Sequence, residues 1–225
     1  STLSVMGNIE SIPYIYMTTD AISRVTGAIG GELPCYSILG RDSHPAMPSE
    51  GGASLVGGDW SGAAFFLTAG VLCGEGRSIT LTGLDAHSRQ GDKAIIEVLR
   101  SMGGLIRETE GGDLVASSSK LHGVRIDATQ IPDLVPILAV TAAANEGALF
   151  TGIRRLRLKE SDRVATVIEM IESLGGSAEA TEDTLRIHGT GLRGGTVHAH
   201  NDHRIAMAAA IAATVCKEPV TVLGA

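Results

Sequence analysis

The sequence predicts an α+β protein assembled from stacked copies of one unit, and three features carry that prediction. Glycine-marked helix ends recur at nearly constant spacing. A second set of apolar helices recurs between them. Short strand-like segments with turn signals follow each glycine.

The first set of helix ends reads RVTGAI (24–29), RSMGGLI (100–106) and ESLGGSA (172–178), with Gly27, Gly103 and Gly175 spaced 76 and 72 residues apart. The runs before them (AISRV, AIIEVLRSM, VATVIEMIESL) place apolar residues at i, i+3, i+4 and i+7, the signature of an amphipathic helix. A glycine just past the last apolar position is a helix stop, because only glycine enters the left-handed region without cost. Each later glycine is followed by a strand, a turn such as GGD (111–113) or TED (181–183), and a second strand, DLVASSS or TLRIHGT. The second set of helices is DWSGAAFFLTAGVL (59–72), IPDLVPILAVTAAA (131–144) and NDHRIAMAAAIAATV (201–215), each with an aspartate near its start: Asp59, Asp133 and Asp202. The expected order is therefore strand–helix–strand–helix–strand–strand, complete at 54–119 and again at 124–190, with a third copy beginning at 196. Roughly the first 45 residues read as the latter part of another copy. Such units bury helices against sheets.

Composition narrows the function classes. Aromatics are 3% of the chain, so aliphatic residues and alanine must fill the core. A net charge of −7 with no basic tail argues against a nucleic-acid partner. The longest apolar run, Ile205–Ala213, is too short for a membrane span, so no membrane partner is expected. Cys35, Cys73 and Cys216 lack CxxC spacing, which fits a reduced, cytoplasmic setting. The chain opens at Ser1 almost directly in an apolar stretch and closes in VTVLGA, so a fragment of a longer protein is expected.

Only 18 residues are Lys or Arg, yet five crowd into IRRLRLKESDR (153–163). Arg155, Arg157 and Lys159 alternate, which on a strand would place them on one face. A helix is expected to begin at about Glu160, with Glu160 and Arg163 as neighbours on its first turn. A solvated charged edge with a salt bridge is one account of this segment. The other is an anion site at a helix start, set on an otherwise acidic protein. The segment TVHAHNDHRIAMAAA (196–210) raises a similar choice. Asn201 is the expected N-cap, with Asp202, His203 and Arg204 in a first turn whose free N–H groups face an anion. A zinc site using His198, His200 and His203 or Asp202 is disfavoured. Arg204 would repel a cation, and no fourth ligand has suitable spacing. No metal is expected, and His198 and His200 are read as exposed strand residues.

The motifs GDWSGAAFFLTAG, SRQGDK, IPDLVPILAV, LRLKESDR and NDHRIAMAAAIA, in this order, together with SIPYIYMT (11–18), resemble the C-terminal portion of the 5-enolpyruvylshikimate-3-phosphate synthase (3-phosphoshikimate 1-carboxyvinyltransferase) family. The UDP-N-acetylglucosamine enolpyruvyl transferases share that fold, but their reactive-cysteine loop has no counterpart here. The resemblance implies a pseudo-threefold domain of βαβαββ units of the enolpyruvyl-transferase type. It assigns 51–225 to the domain bearing KESDR and NDHR, truncated at its C-terminus, and 1–50 to a C-terminal remnant of the partner, shikimate-phosphate domain. The lysine-serine-arginine start, the glycine-rich NAGT segment and the serine-serine-glutamine motif of the family are absent from this sequence, which implies a missing N-terminal half and an isolated chain without activity.

The implied substrates are phosphoenolpyruvate and shikimate 3-phosphate, with no cofactor, since phosphoenolpyruvate is already activated. By the same resemblance Asp133 is the base on the 5-hydroxyl, and Glu160 is the proton donor and acceptor at the methylene carbon. Ser11, Tyr14, Asp133 and Lys159 hold shikimate 3-phosphate. Arg163 and Arg204 clamp phosphoenolpyruvate, supported by Asp202 and His203. Where several relatives carry an asparagine four residues before the lysine, this chain has Arg155, and that contact is left unassigned. A non-catalytic module of the same fold, binding anions or a partner, would share every one of these motifs.

Overall fold

A computed structural model describes residues 1–26, 28–40 and 56–225. The predicted repeat is present in its second copy from end to end. Strand β7 (Val124–Asp127), helix α4 (Val135–Ala144), β8 (Ala148–Thr151), α5 (Arg163–Ser173), β9 (Ser177–Ala180) and β10 (Thr184–His188) follow one another, and the sheet order is β7-β8-β10-β9. The β7–β8 pair is parallel and the others antiparallel. Its register aligns Ile126, Phe150 and Leu185 across three strands, all of them buried.

The other copies repeat parts of this plan. Helix α2 (Trp60–Leu72), β4 (Ser78–Leu81), α3 (Ile95–Ser101), β5 (Leu105–Glu108) and β6 (Leu114–Ser117) give a sheet ordered β4-β6-β5, which matches β8-β10-β9. The third copy supplies β11 (Gly195–His198), α6 (His203–Ala212) and β12 (Val220–Leu223), with β11 and β12 parallel like β7 and β8. At the other end, β1 (Thr2–Ser4), α1 (Ile12–Thr26), β2 (Ile29–Glu32) and β3 (Cys35–Ile38) form a sheet ordered β1-β3-β2, again the second half of the unit. The expected opening strand of the first full copy is not found at Val56–Gly58, which is irregular. The start of that strand, and the expected boundary between residues 50 and 51, lie outside the described residues.

The two helix families occupy different layers. Helices α2, α4 and α6 touch one another pairwise; α2 and α4 are buried on nearly every face, as central helices are, while α6 buries Ile205, Ala208, Ala209 and Ala212. Alanines at 139, 142, 143, 208, 209 and 212 are fully buried and let these axes approach closely. Helix α5, by contrast, buries one stripe: Val164, Val167, Met170 and Ile171. Its stop is a paired-hydrogen-bond cap. Gly175 N–H bonds Glu172 O (2.9 Å), Gly176 N–H bonds Ile171 O (2.8 Å), and Gly175 takes φ +80°. Helix α3 ends identically at Gly103, φ +96°. That shared backbone need is why the glycine signal was readable.

Candidate anion site at the helix starts

The three central helices begin near one another, and their aspartates have different partners. Asp59 is a cap: its carboxylate accepts from the N–H groups of Ser61 (3.1 Å) and Gly62 (2.7 Å) on its own helix. Asp133 lies in a 3₁₀ turn (Pro132–Leu134) that leads into α4, and its carboxylate caps nothing. Instead Oδ2 accepts from Tyr14 Oη (2.6 Å) and Arg204 Nη2 (3.1 Å), while Oδ1 receives Arg163 Nη1 (2.6 Å) and Lys159 Nζ (3.1 Å). Asp202 does both. Its Oδ1 caps α6 through Arg204 N–H (3.0 Å), and its Oδ2 accepts from Arg163 Nε (2.8 Å) and Ser161 Oγ (3.0 Å).

Arg163, 0% exposed, ties these groups together. Its three nitrogens reach Asp202, Asp133 and, through Nη2, Glu160 Oε2 (2.5 Å). The starts of α5 and α6 therefore face each other, and Lys159, Arg163 and Arg204 are matched by Asp133, Glu160 and Asp202. Lys159, Arg204 and Glu160 are the members open to solvent, at 22%, 13% and 50% side-chain exposure. Burial opposes ionisation of Asp133, but the Tyr14 hydrogen bond and the charges of Arg204 and Lys159 outweigh it and hold the carboxyl far below the usual range. Burial is likewise overcome at Asp202, by Arg163. Tyr14 is pushed far above the ordinary phenol value by burial and by Asp133.

Tyr14 joins this cluster from the first forty residues, and Ser11, three residues before it, is tied to Arg155 instead. Ser11 is buried at the start of α1 with φ +53°, and Arg155 Nη1 donates to its Oγ (2.8 Å). The ammonium of Lys159 stands 6.0 Å from the Tyr14 ring centre. His203 opens α6 with an exposed side chain and takes part in none of the ion pairs around Asp133.

Four local expectations are corrected. Residues 154–158 form a 3₁₀ turn, not a strand, because its three-residue period turns both Ile153 and Leu156 into the core. Arg155, Arg157 and Lys159 then diverge: Arg155 goes to Ser11, Arg157 to Thr181 O and Asp162, and Lys159 to Asp133. The helix after KES starts at Arg163 with Asp162 as its cap, so Glu160 precedes it. The cap of α6 is Asp202, with Asn201 outside the helix at φ +57°. Because Asp162 and Asp202 occupy first-turn N–H groups, cationic side chains rather than open helix ends face the cluster. Finally, His200 lies beyond β11 at φ +53°, its ring against His198 and 2.9 Å from Glu169. Among the described residues no group of three or more His, Cys, Asp and Glu side chains can hold a metal ion.

Comparison with known proteins decides the family. The family model described as EPSP synthase (3-phosphoshikimate 1-carboxyvinyltransferase) matches residues 2–225. The chain belongs to the EPSP synthase family. A 3-phosphoshikimate 1-carboxyvinyltransferase of Clostridium acetobutylicum is 40% identical over 227 residues, covering 100% of this chain and 50% of the relative. One from Clostridium novyi is 45% identical over 226 residues, covering 99% and 50%. The chain thus spans about half the length of the curated relatives it matches. Among solved structures, the EPSP synthase of Acinetobacter baumannii superposes with a TM-score of 0.70 at 28% identity, over 87% of this chain and 47% of that one. The enolpyruvyl transferase NikO of Streptomyces tendae, at 20% identity and a TM-score of 0.73, shares the fold over 100% of this chain and 51% of its own.

Proposed function

We propose that this chain supplies one half of a 3-phosphoshikimate 1-carboxyvinyltransferase, in which the enolpyruvyl group of phosphoenolpyruvate passes to the 5-hydroxyl of shikimate 3-phosphate and phosphate is released. Residues 51–225 are then most of the domain bearing KESDR and NDHR, and residues 1–50 are the tail of the shikimate-phosphate domain. What carries the reading is the convergence of Lys159, Arg163 and Arg204 on Asp133, each within 3.1 Å. Three cations and one carboxylate at one point suit two anionic substrates and a hydroxyl that must lose a proton.

The ion pairs suggest how the chemistry is triggered. Asp133 is a poor base while cations hold it, because its proton affinity is low. An arriving phosphate or carboxylate draws Lys159 and Arg204 toward itself, and the basicity of Asp133 rises at the moment the hydroxyl is in place. Asp133 then takes the hydroxyl proton as that oxygen bonds the central carbon of phosphoenolpyruvate, and the half-exposed Glu160 gives a proton to the methylene carbon. Glu160 removes a methyl proton again as the carbon–oxygen bond to phosphate breaks. Ser11, Tyr14 and Lys159 hold shikimate 3-phosphate. Arg163 and Arg204 hold phosphoenolpyruvate, with Asp202 fixing Arg163 and His203 at the rim. We place the reaction in the cytoplasm, where the three free cysteines stay reduced.

Phosphate release from the two substrates tests the reading. The chain alone is expected to give none, and the chain joined to the N-terminal half of the Clostridium acetobutylicum relative is expected to turn over. Turnover by the chain alone would contradict the half-enzyme reading. No turnover by a folded, joined protein would contradict the assigned reaction.

A further inference from the structure

A second polar network lies beside the ion pairs, where the 3₁₀ turn Gly91–Ala94 packs on α2 and α1. Gln90 Nε2 donates to Asp59 Oδ1 and to Ser61 Oγ, both at 2.7 Å, and its Oε1 accepts from Trp60 N–H (2.8 Å). Ser61 Oγ in turn donates to Asp92 Oδ2 (2.5 Å). There the chain of donors stops. Asp92 is 0% exposed, and its Oδ1 is buried without any hydrogen-bond partner. Gly91, next to it, lies close against Pro13 at the start of α1 and the Gln130 carbonyl three residues before Asp133, each 3.1 Å from where a Cβ would stand, so a larger side chain there requires those neighbours to give way.

The charges around Asp92 are mainly of its own sign. Asp59 faces it from the start of α2 and Asp133 from the turn before α4, with Arg204 of α6 opposing them. Tyr14 of α1 feels its charge. Lys93, on the same turn, gives its ammonium to the Ala86 carbonyl. Among the described residues Asp92 forms no ion pair, whereas Asp133 and Asp202, equally inside, have one or more cations in direct contact. A carboxylate stripped of donors on one oxygen and set near two others is costly to keep ionised.

We propose that Asp92 carries a proton in the resting protein and acts as a positioning residue that sets the charge of the anion site. With Asp92 neutral, Lys159, Arg163 and Arg204 face one carboxylate fewer. With Asp92 ionised, one more negative charge stands beside the site and opposes the anion it is built to receive. This rests on the functional reading above. Burial, joined by Asp133 and opposed by the Ser61 hydrogen bond, holds the Asp92 carboxyl above its usual range. Nothing in the proposed reaction otherwise uses this group.

Carbon-13 NMR of the Asp92 carboxyl, assigned by its loss in Asp92→Asn, reads the charge with no ligand present. The expected result is titration above the ordinary aspartate value of about 3.8. Titration at or below that value would overturn the proposal. The second measurement is the phosphoenolpyruvate KM against pH in the joined enzyme. As pH rises through the Asp92 titration, the wild-type KM is expected to rise on the order of tenfold relative to that of Asp92→Asn, with kcat changing less. A ratio of the two KM values that does not vary with pH would overturn the proposal even in an enzyme that turns over normally. A merely structural role would shift stability and leave that ratio flat. Asparagine reproduces the neutral carboxyl in shape, so failure of Asp92→Asn to fold would also count against it. The NMR measurement needs no substrate, so its failure is distinct from failure of the functional reading.

Discussion

Asp59 and Asp133 open equivalent central helices of successive repeats, yet one is tied to its own backbone and the other to distant side chains. Asp59 spends its oxygens on the first turn of α2 and on Gln90. Asp133, in a turn that begins Ile131-Pro132, leaves its carboxylate to Tyr14, Lys159, Arg163 and Arg204. The repeat supplies the position, and what the neighbouring repeats bring to it determines whether the aspartate caps a helix or organises a site. Asp202 is intermediate, capping α6 while holding Arg163.

The contrast can be broken by substitution. Asp133→Asn in the joined enzyme is expected to lower kcat by ~10²–10⁴-fold with a smaller effect on binding, measured as phosphate release, and Glu160→Gln the same. Near-normal rates would remove those roles. At the intermediate position, Asp202→Ala leaves the buried Arg163 without its fully buried partner and should cost about 3–5 kcal/mol in denaturant unfolding.

Acid supplies a related test. The folded values of Asp133 and Asp202 lie below their unfolded ones, so their contribution is complete above the ordinary carboxylate range near 3.8 and is lost as pH falls through the folded values. Asp202→Asn should therefore flatten the acid limb of stability against pH. Asp92 slopes the other way, weakening the fold as pH rises through the carboxylate range. The smallest effect belongs to the plain cap: Asp59→Ala should cost about 1 kcal/mol, and Asp59→Ser much less, by thermal unfolding.

Much of the architecture was legible because it depends on local backbone demands. Gly103 and Gly175 announce their helix ends through a conformation that other residues avoid, and the apolar faces all round α2 and α4 announce central helices. The crowding of cations near KESDR was legible as charge. Its geometry was not, because RRLRL alternates in sequence but is wound as a 3₁₀ turn by two buried anchors, Ile153 and Leu156. Nor could spacing reveal that one guanidinium bridges three carboxylates. Those contacts span 3, 30 and 39 residues, and only the first is local. Asp92 stood in plain sight within SRQGDK, and the only signal that sets it apart is burial without a cation.

The most direct test is the nitrogen-15 NMR signal of the arginine Nε–H groups in the joined enzyme, followed as phosphoenolpyruvate is added with shikimate 3-phosphate present. Signals of Arg163 and Arg204 are expected to move together at the same ligand concentration, while those of Arg100 and Arg186 on the outer surface stay in place. Saturating ligand that leaves Arg163 and Arg204 unmoved would show that the cations gathered on Asp133 do not receive the anion.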